Sequence, residues 1–547
     1  MQKRHPHKTN ILLVNITRLG DMLQATPTIA GMKQENPDCK VTVLVEKQFA
    51  EVCHNLPFID EVVSLDLGMT VRSLAREQDG IIDAFEYVSE TIDDLKHRNF
   101  DFCLNMSSSA YTALLLRAIG IPRNGGWTAD EEGYRVIESE WARLFASSVF
   151  HQNRQYNALN LVDVFRSSAD VDMHPQKLMM NINPEAVEFV QNLIAEHKFT
   201  NTGPIIAIQA GASQGKRQWI PSKFISLIQI LLEKLNARII LTGTKKELEI
   251  INPIKDGCNS HNVMVAAGKT NIPQLAALLH ESDILLTGDT GPMHISVAAG
   301  TPVIAMFLAS AFGYETGPYS EGNIVLQPVI GCGPCNPNKA CARPDCHEHI
   351  SPELMAELTV MRLKEDFKAL PEHLRKLTNV TIYRSCFDEF GYCDLKALND
   401  NSNDELDAYR RAYRKMWLDD LGGFTAQNEK SNGGSLKISK GGLEGLSEVV
   451  TLAKTGQDLI KYLVKLINDP RSDAQSLGEA NDALTENDRK IEQLGFHYPA
   501  LGPLTRMFVF GKENISGSEA LTLASQMQDI YAGLERRSNK FAQYYNG

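Results

Sequence analysis

Asp283-Ile-Leu-Leu-Thr-Gly-Asp-Thr-Gly-Pro-Met-His294-Ile-Ser-Val-Ala-Ala-Gly-Thr-Pro-Val303-Ile-Ala-Met-Phe307 reads as strand, turn, helix and strand. Asp283–Thr287 and Val303–Phe307 are short apolar runs without polar alternation, which marks strands buried on both faces of a parallel sheet. Between them a turn of small residues opens a helix of small residues. The backbone N–H groups at Thr290 and Gly291 would then point at an anion, as at a diphosphate seated on a helix N-terminus. Asp289 cannot ligate phosphate without a bridging cation, so it suits orientation of the loop or contact with a sugar hydroxyl. His294, one turn into the helix, either donates to a phosphate or packs; its place inside this motif favours the ligand role.

The same alternation extends in both directions. Asn10–Ile16, Lys40–Val45, Glu61–Leu65 and Asp101–Asn105 are candidate strands in the first half, and Pro204–Gln209 and Arg238–Thr242 precede the two already named. Helical stretches separate them, the signature of doubly wound α/β units. A polar segment with Gly and Pro, Lys198-Phe-Thr-Asn-Thr-Gly-Pro204, divides the two series. The expected architecture is two Rossmann-like α/β domains facing across a cleft, at 1–198 and 199–380, followed by a helical domain at 381–547. In that last part Leu421–Gly445 reads as a flexible loop. Stripes at helical spacing follow, from Leu446 to Ile467 and from Leu521 to Leu534.

The chain has 547 residues, 43% hydrophobic and 22% charged, which excludes a disordered or fibrous protein. Its net charge of −12 argues against gripping nucleic acid, though not against a small anionic ligand. No run approaches the ~18 apolar residues of a membrane helix. MQKRHPHKTN leads directly into a strand-like segment without a signal-peptide pattern, so a cytoplasmic location is expected. Ten cysteines are sparse for a disulfide scaffold of this length.

Two more motifs sit where strands deliver loops. Asn15-Ile-Thr-Arg-Leu-Gly-Asp21 joins the first strand to a helix at the carboxyl edge of a parallel sheet, where open α/β proteins bind ligands. Asp21 is either a general base kept ionised near a helix N-terminus or a helix cap. Gln209-Ala-Gly-Ala-Ser-Gln-Gly-Lys216-Arg-Gln-Trp219-Ile-Pro221 leaves another strand through a Gly/Ser loop, with Pro221 suited to a first helical position. Lys216 and Arg217 are cations placed to stabilise a leaving diphosphate. The alternative is a solvated basic loop.

LGD with Pro27 beyond it, KRQW with Pro221, and GDTGPMH followed by AAGTPV together resemble glycosyltransferase family 9, the ADP-heptose:lipopolysaccharide heptosyltransferases, over residues ~10–375. Leu116-Arg-Ala-Ile-Gly-Ile-Pro-Arg123-Asn-Gly-Gly126 and His151 ahead of Tyr156-Asn-Ala-Leu-Asn-Leu agree with it. The resemblance implies a GT-B fold and inverting transfer without a catalytic metal or cofactor. It implies Asp21 as base, with Lys216 or Arg217, Thr290, Gly291 and His294 on the diphosphate of an ADP-sugar. Alignment on Trp219 favours Arg217 over Lys216. The acidic residue that some members place on the ribose falls near Lys245, leaving Glu247 as a substitute. Acceptors implied are a lipopolysaccharide core or a protein hydroxyl; Arg18, Arg117 and Arg123 would suit an anionic one.

Cys332-Gly-Pro-Cys335, Cys341 and Cys346, with His347 and His349 following, have ligand spacing suited to structural zinc or iron. Reduced thiols, or disulfides formed on oxidation, are the alternatives. Members of the family that modify autotransporter proteins bind iron in such a loop. Tyr409-Arg-Arg-Ala-Tyr413-Arg-Lys-Met-Trp417 is a candidate for peripheral contact with the inner membrane, but core packing with snorkelling cations is the favoured reading. A catalytically silent GT-B interaction protein docking through its helical tail is the rival from another class, and the intact motifs count against it. A nucleotide-sugar epimerase or dehydrogenase lacks its opening GxGxxG.

Overall fold

A computed structural model describes residues 9–16, 18–76, 78–172, 174–367, 369–403, 405–424 and 440–546. Strands β1 (Asn10–Asn15), β2 (Lys40–Glu46), β3 (Glu61–Leu65) and β4 (Phe102–Asn105) form a parallel sheet in the order β3-β2-β1-β4. A short antiparallel hairpin follows, β5 (Trp127–Ala129) with β6 (Arg135–Ile137). The second sheet contains β7 (Ile205–Gln209), β8 (Arg238–Thr242), β9 (Val263–Val265), β10 (Ile284–Gly288), β11 (Val303–Met306), β12 (Ile324–Pro328), β13 (Val380–Phe387) and β14 (Cys393–Ala397). Its order is β14-β13-β12-β11-β10-β7-β8-β9, parallel from β9 to β12 and antiparallel at β13 and β14.

All eight apolar runs expected as strands are strands. In the central strands the side chains are shielded on both faces, Leu12, Val14, Ile206, Ile208, Leu285 and Leu286 exposing 0% of their surface, whereas the edge strand β3 buries only Leu65 fully. Helix Pro221–Leu235 buries Phe224, Leu227, Ile228 and Leu231 against the second sheet. Each such side chain contributes roughly 1.5–3 kcal/mol when removed from water. Trp219 meets Phe224 edge-on at 5.1 Å, which fixes the loop that carries Lys216 and Arg217.

Strand order places the motifs. In the first sheet β1 lies between β2 and β4, and in the second β7 lies between β8 and β10. Winding reverses at these two points, and the loops leaving the carboxyl ends of neighbouring strands part there to leave a crevice. β1 delivers Asn15–Asp21, β7 delivers Gln209–Pro221, and β10 delivers Gly288–Gly291. All three motifs therefore occupy the crevice position of their sheet.

The chain forms two compact units, divided differently from the spans 1–198, 199–380 and 381–547. One comprises residues up to Gly125 together with Leu159–Ser402 and contains both large sheets. The other joins Gly126–Ala158 to Asn403–Gly547. β13 and β14 carry the second sheet past residue 380. The β5–β6 hairpin and the helix Glu140–Ser148 pack with the C-terminal helices instead of with the first sheet.

In the helical unit Tyr409, Tyr413 and Trp417 are 5%, 1% and 4% exposed, which makes this stripe core. Tyr413 packs at 4.4 Å from Phe541, while Arg414 Nη1 donates to the Ala158 carbonyl at 2.7 Å and Arg410 Nε to that of Gln155 at 3.1 Å. Helices Lys440–Asn468 and Ala520–Asn546 contain the two expected stripes, burying Leu446, Val449, Ala453 and Ile460 in one and Ala524, Tyr531 and Leu534 in the other. Residues 425–439 of the expected loop lie outside the described residues. No described helix is long and apolar enough to cross a membrane.

Candidate active site

The first helix, Leu19–Glu35, begins without a side-chain cap: its N-cap is Arg18, extended at φ −150° and forming no capping bond. Asp21 is the third helical residue, half-buried in the first turn, where the helix dipole favours a carboxylate. It is thus not the N-cap residue. Leu19 and Gly20 meet the helix Gly291–Ala299 of the second sheet. A Cβ on Gly291 would lie 3.3 Å from Leu19 Cδ2, and one on Gly20 would lie 2.9 Å from His294 Cδ2. Glycine at position 20 lets this approach occur without displacement, since a Cβ there would press on the imidazole. Motifs nearly 270 residues apart are in this way brought together.

His294 is 5% exposed, and its Nδ1 has no hydrogen-bond partner among the described residues. Burial pushes its pKa from 6.5 to about 4, against a smaller upward pull from Asp289. The imidazole is therefore neutral at pH 7 and presents an unmatched polar atom. Leaving such an atom unpaired costs ~1–3 kcal/mol.

Lys216 and Arg217 diverge. Arg217 Nη1 donates to Asp289 Oδ2 at 3.0 Å and its Nε to Ser310 Oγ at 2.8 Å. Thr316 Oγ1 donates to the other oxygen of Asp289 at 3.2 Å. Arg217 is consequently fixed beside the loop Gly288–Gly291, with Asp289 orienting it. Lys216 turns away. Its Nζ donates to the carbonyls of Asn336, Pro337 and Lys339 at 3.0, 2.9 and 2.8 Å, which makes it a brace for the cysteine loop. Thr290 is the extended N-cap of the helix Gly291–Ala299, and its Oγ1 lies 2.9 Å from that of Thr287.

Glu247 stands at the same sheet edge. It accepts from Gln209 Nε2 at 3.0 Å and from the Thr244 backbone N–H at 2.7 Å. A Cβ on Gly211 would collide with its carboxylate. Arg18 and Arg117 are exposed, and Arg123 lies over the Phe102 ring at 5.7 Å.

Ser310 and Thr316 were not singled out from sequence. They lie on the chain leaving β11, the strand next to β10, so adjacency at the carboxyl edge was the available signal. Ala309 beside them has φ 54°, a left-handed conformation that costs a non-glycine residue roughly 1–2 kcal/mol. Its carbonyl accepts from the Cys335 N–H at 2.9 Å, tying the cysteine loop to the Arg217 contact.

The cysteine loop forms no assembled metal centre among the described residues. Cys332 and Cys341 are exposed, Cys335 is half-buried and Cys346 is buried. Among the described residues no group of three or more His, Cys, Asp or Glu is arranged to hold an ion. The four thiols nonetheless lie within electrostatic reach of one another, Cys332, Cys341 and Cys346 all acting on Cys335. Burial, with the neighbouring Cys332 thiol, pushes the Cys335 pKa up to about 11, so that sulfur is protonated at pH 7.

The profile of glycosyltransferase family 9 (heptosyltransferase) matches residues 88–344. That match spans just under half of the chain. The protein is 24% identical to lipopolysaccharide heptosyltransferase 3 of Escherichia coli, over 53% of its own length and 81% of that relative's. It is 23% identical to the lipopolysaccharide core heptosyltransferase OpsX of Haemophilus influenzae, over 57% and 82%. The crystal structure of a family 9 glycosyl transferase from Veillonella parvula superposes with a TM-score of 0.53 at 19% identity, covering 66% of this chain and 99% of that one. The two-sheet unit therefore shares the GT-B fold of that structure, and the protein is a glycosyltransferase.

Proposed function

We propose that this glycosyltransferase moves a heptose or related sugar from an ADP-activated donor to a hydroxyl of a lipopolysaccharide core saccharide or a protein, inverting the anomeric centre. The carrying observation is the contact of Gly20 with His294, which sets the Asp21 turn of one sheet against the anion-binding turn of the other. Asp21 takes the acceptor hydroxyl proton. The oxygen attacks the anomeric carbon from the face opposite the diphosphate, the carbon–oxygen bond to the diphosphate breaks, and its electron pair leaves on ADP. The charge that develops there is met by Arg217 and by the backbone N–H groups at the start of the helix Gly291–Ala299. His294 Nδ1, buried and unpaired, supplies a further polar contact for the nucleotide sugar. Glu247 is placed for the ribose.

The test is mass spectrometry of a lipopolysaccharide or glycoprotein acceptor after incubation with the enzyme and ADP-heptose. Transfer should fall by ~10²–10⁴-fold with Asp21→Asn, the usual effect of removing a general base, while ADP affinity is kept. Near-wild-type transfer by Asp21→Asn would remove Asp21 from catalysis.

A further inference from the structure

A cavity of about 240 Å³ lies in the helical unit, where the helix Glu140–Ser148 meets the helices Gly502–Glu513 and Ala520–Asn546. Three of its wall residues are arginines, Arg143, Arg536 and Arg537, set among apolar side chains that include Leu504, Phe508 and Ile530.

Two of the arginines are neutralised from behind. The fully buried carboxylate of Asp420 accepts from Nε of Arg536 and from Nε of Arg537, both at 2.6 Å. Arg537 Nη2 also donates to Glu140 at 2.6 Å. Arg143 differs. Its Nε donates to the Ile137 carbonyl at 2.8 Å and its Nη2 to that of Glu138 at 3.2 Å, both neutral acceptors, and it forms no ion pair with a carboxylate. Burial pushes its pKa below the ordinary value; the nearby Glu140 and Glu138 carboxylates oppose that, and the Arg537 cation adds to it. Removing a cation from water without a carboxylate bonded to it is costly, and a second cation beside it adds to the cost. Among the described residues, Nη1 of none of the three guanidiniums donates to a protein acceptor. Asp529, on the same wall, is exposed and would oppose an anion only through solvent.

We propose that this cavity is a binding site for a small organic anion, with a carboxylate or phosphate held by Arg143 and Arg537 and an apolar body against Leu504, Phe508 and Ile530. The guanidinium fork matches the oxygen spacing of either group. The volume falls just below the ~300–1,000 Å³ of common ligand sites and suits a metabolite-sized molecule. The site is independent of the transferase reading, since none of its residues belongs to the two-sheet unit.

Isothermal titration of the full chain with phenyl phosphate and with phenylacetate tests this, and comparing them separates phosphate from carboxylate. At least one should bind saturably, and neutral benzyl alcohol should not. Arg143→Gln, which keeps donors for the two carbonyls but removes the charge, should weaken binding at least tenfold. Gly533→Val should do the same by filling the cavity, since a Cβ there would already lie 3.8 Å from Arg537 Nη1. Absence of saturable binding by both anions, equal binding of benzyl alcohol, or unchanged affinity in a folded variant would overturn the proposal.

Discussion

Substituting Gly20 by alanine tests the contact on which the candidate active site depends. The new Cβ would start 2.9 Å from Cδ2 and 3.4 Å from Nε2 of His294. Carbon atoms in van der Waals contact sit ~3.5–4.0 Å apart, so the ring or the helix must retreat by roughly 0.6–1.1 Å. The imidazole is 5% exposed and has little room to do so. Overpacking of this kind costs ~1–3 kcal/mol. Alanine in place of glycine within a helix returns up to ~1 kcal/mol, and Gly20 is not in a left-handed conformation that alanine would resist. The net destabilisation should be about 0–3 kcal/mol. A double-mutant cycle isolates the steric part: in a His294→Ala background the collision partner is gone, and Gly20→Ala should become neutral or stabilising. Urea denaturation of the four proteins should give a coupling of ~1–3 kcal/mol. Additivity within ~0.5 kcal/mol would show that Gly20 and His294 do not touch, and the convergence of the two motifs would fall with it.

Arg217→Ala should weaken ADP binding at least ~10-fold, as expected for a charged hydrogen bond of ~1.5–3 kcal/mol, whereas Lys216→Ala should mainly open residues 336–339 to proteolysis; calorimetry giving the reverse order would move the phosphate contact by one residue. Because His294 has a depressed pKa, the unfolded chain binds its proton first as pH falls: stability is kept above pH 6.5 and lost between 6.5 and about 4. His294→Asn should flatten that part of the stability profile by about one proton, and an identical slope in both proteins would refute the burial argument. Tyr413→Ala should cost ~3–5 kcal/mol in denaturant unfolding while leaving ADP affinity unchanged, whereas a small loss would contradict its place in the core.

What sequence determined and what tertiary structure decided divide along a physical line. Runs such as Ile11–Val14 and Ile284–Leu286 were legible because strands buried on both faces must be apolar throughout, a property of composition within one segment. β13, Val-Thr-Ile-Tyr-Arg-Ser-Cys-Phe, was not, since it interleaves polar with apolar residues and gains its place only by pairing antiparallel with β12. Motif positions at strand ends were legible for the same local reason, and so was the core character of Tyr409, Tyr413 and Trp417. The different tasks of Lys216 and Arg217 were not. Both lie in a single 3₁₀ turn, Gly215–Arg217, whose ~120° step per residue sends neighbouring side chains apart, one to the loop carbonyls and one to Asp289. Four cysteines at ligand spacing were equally visible, yet convergence of their sulfurs depends on how residues 332–346 lie against Ala309 and Lys216. The association of residues 126–158 with the C-terminal helices rests on contacts such as Glu140 with Arg537, nearly 400 residues away. No local pattern encodes such a partner. It is selected only when the whole chain has folded and the alternative is an apolar face or a charge left without one.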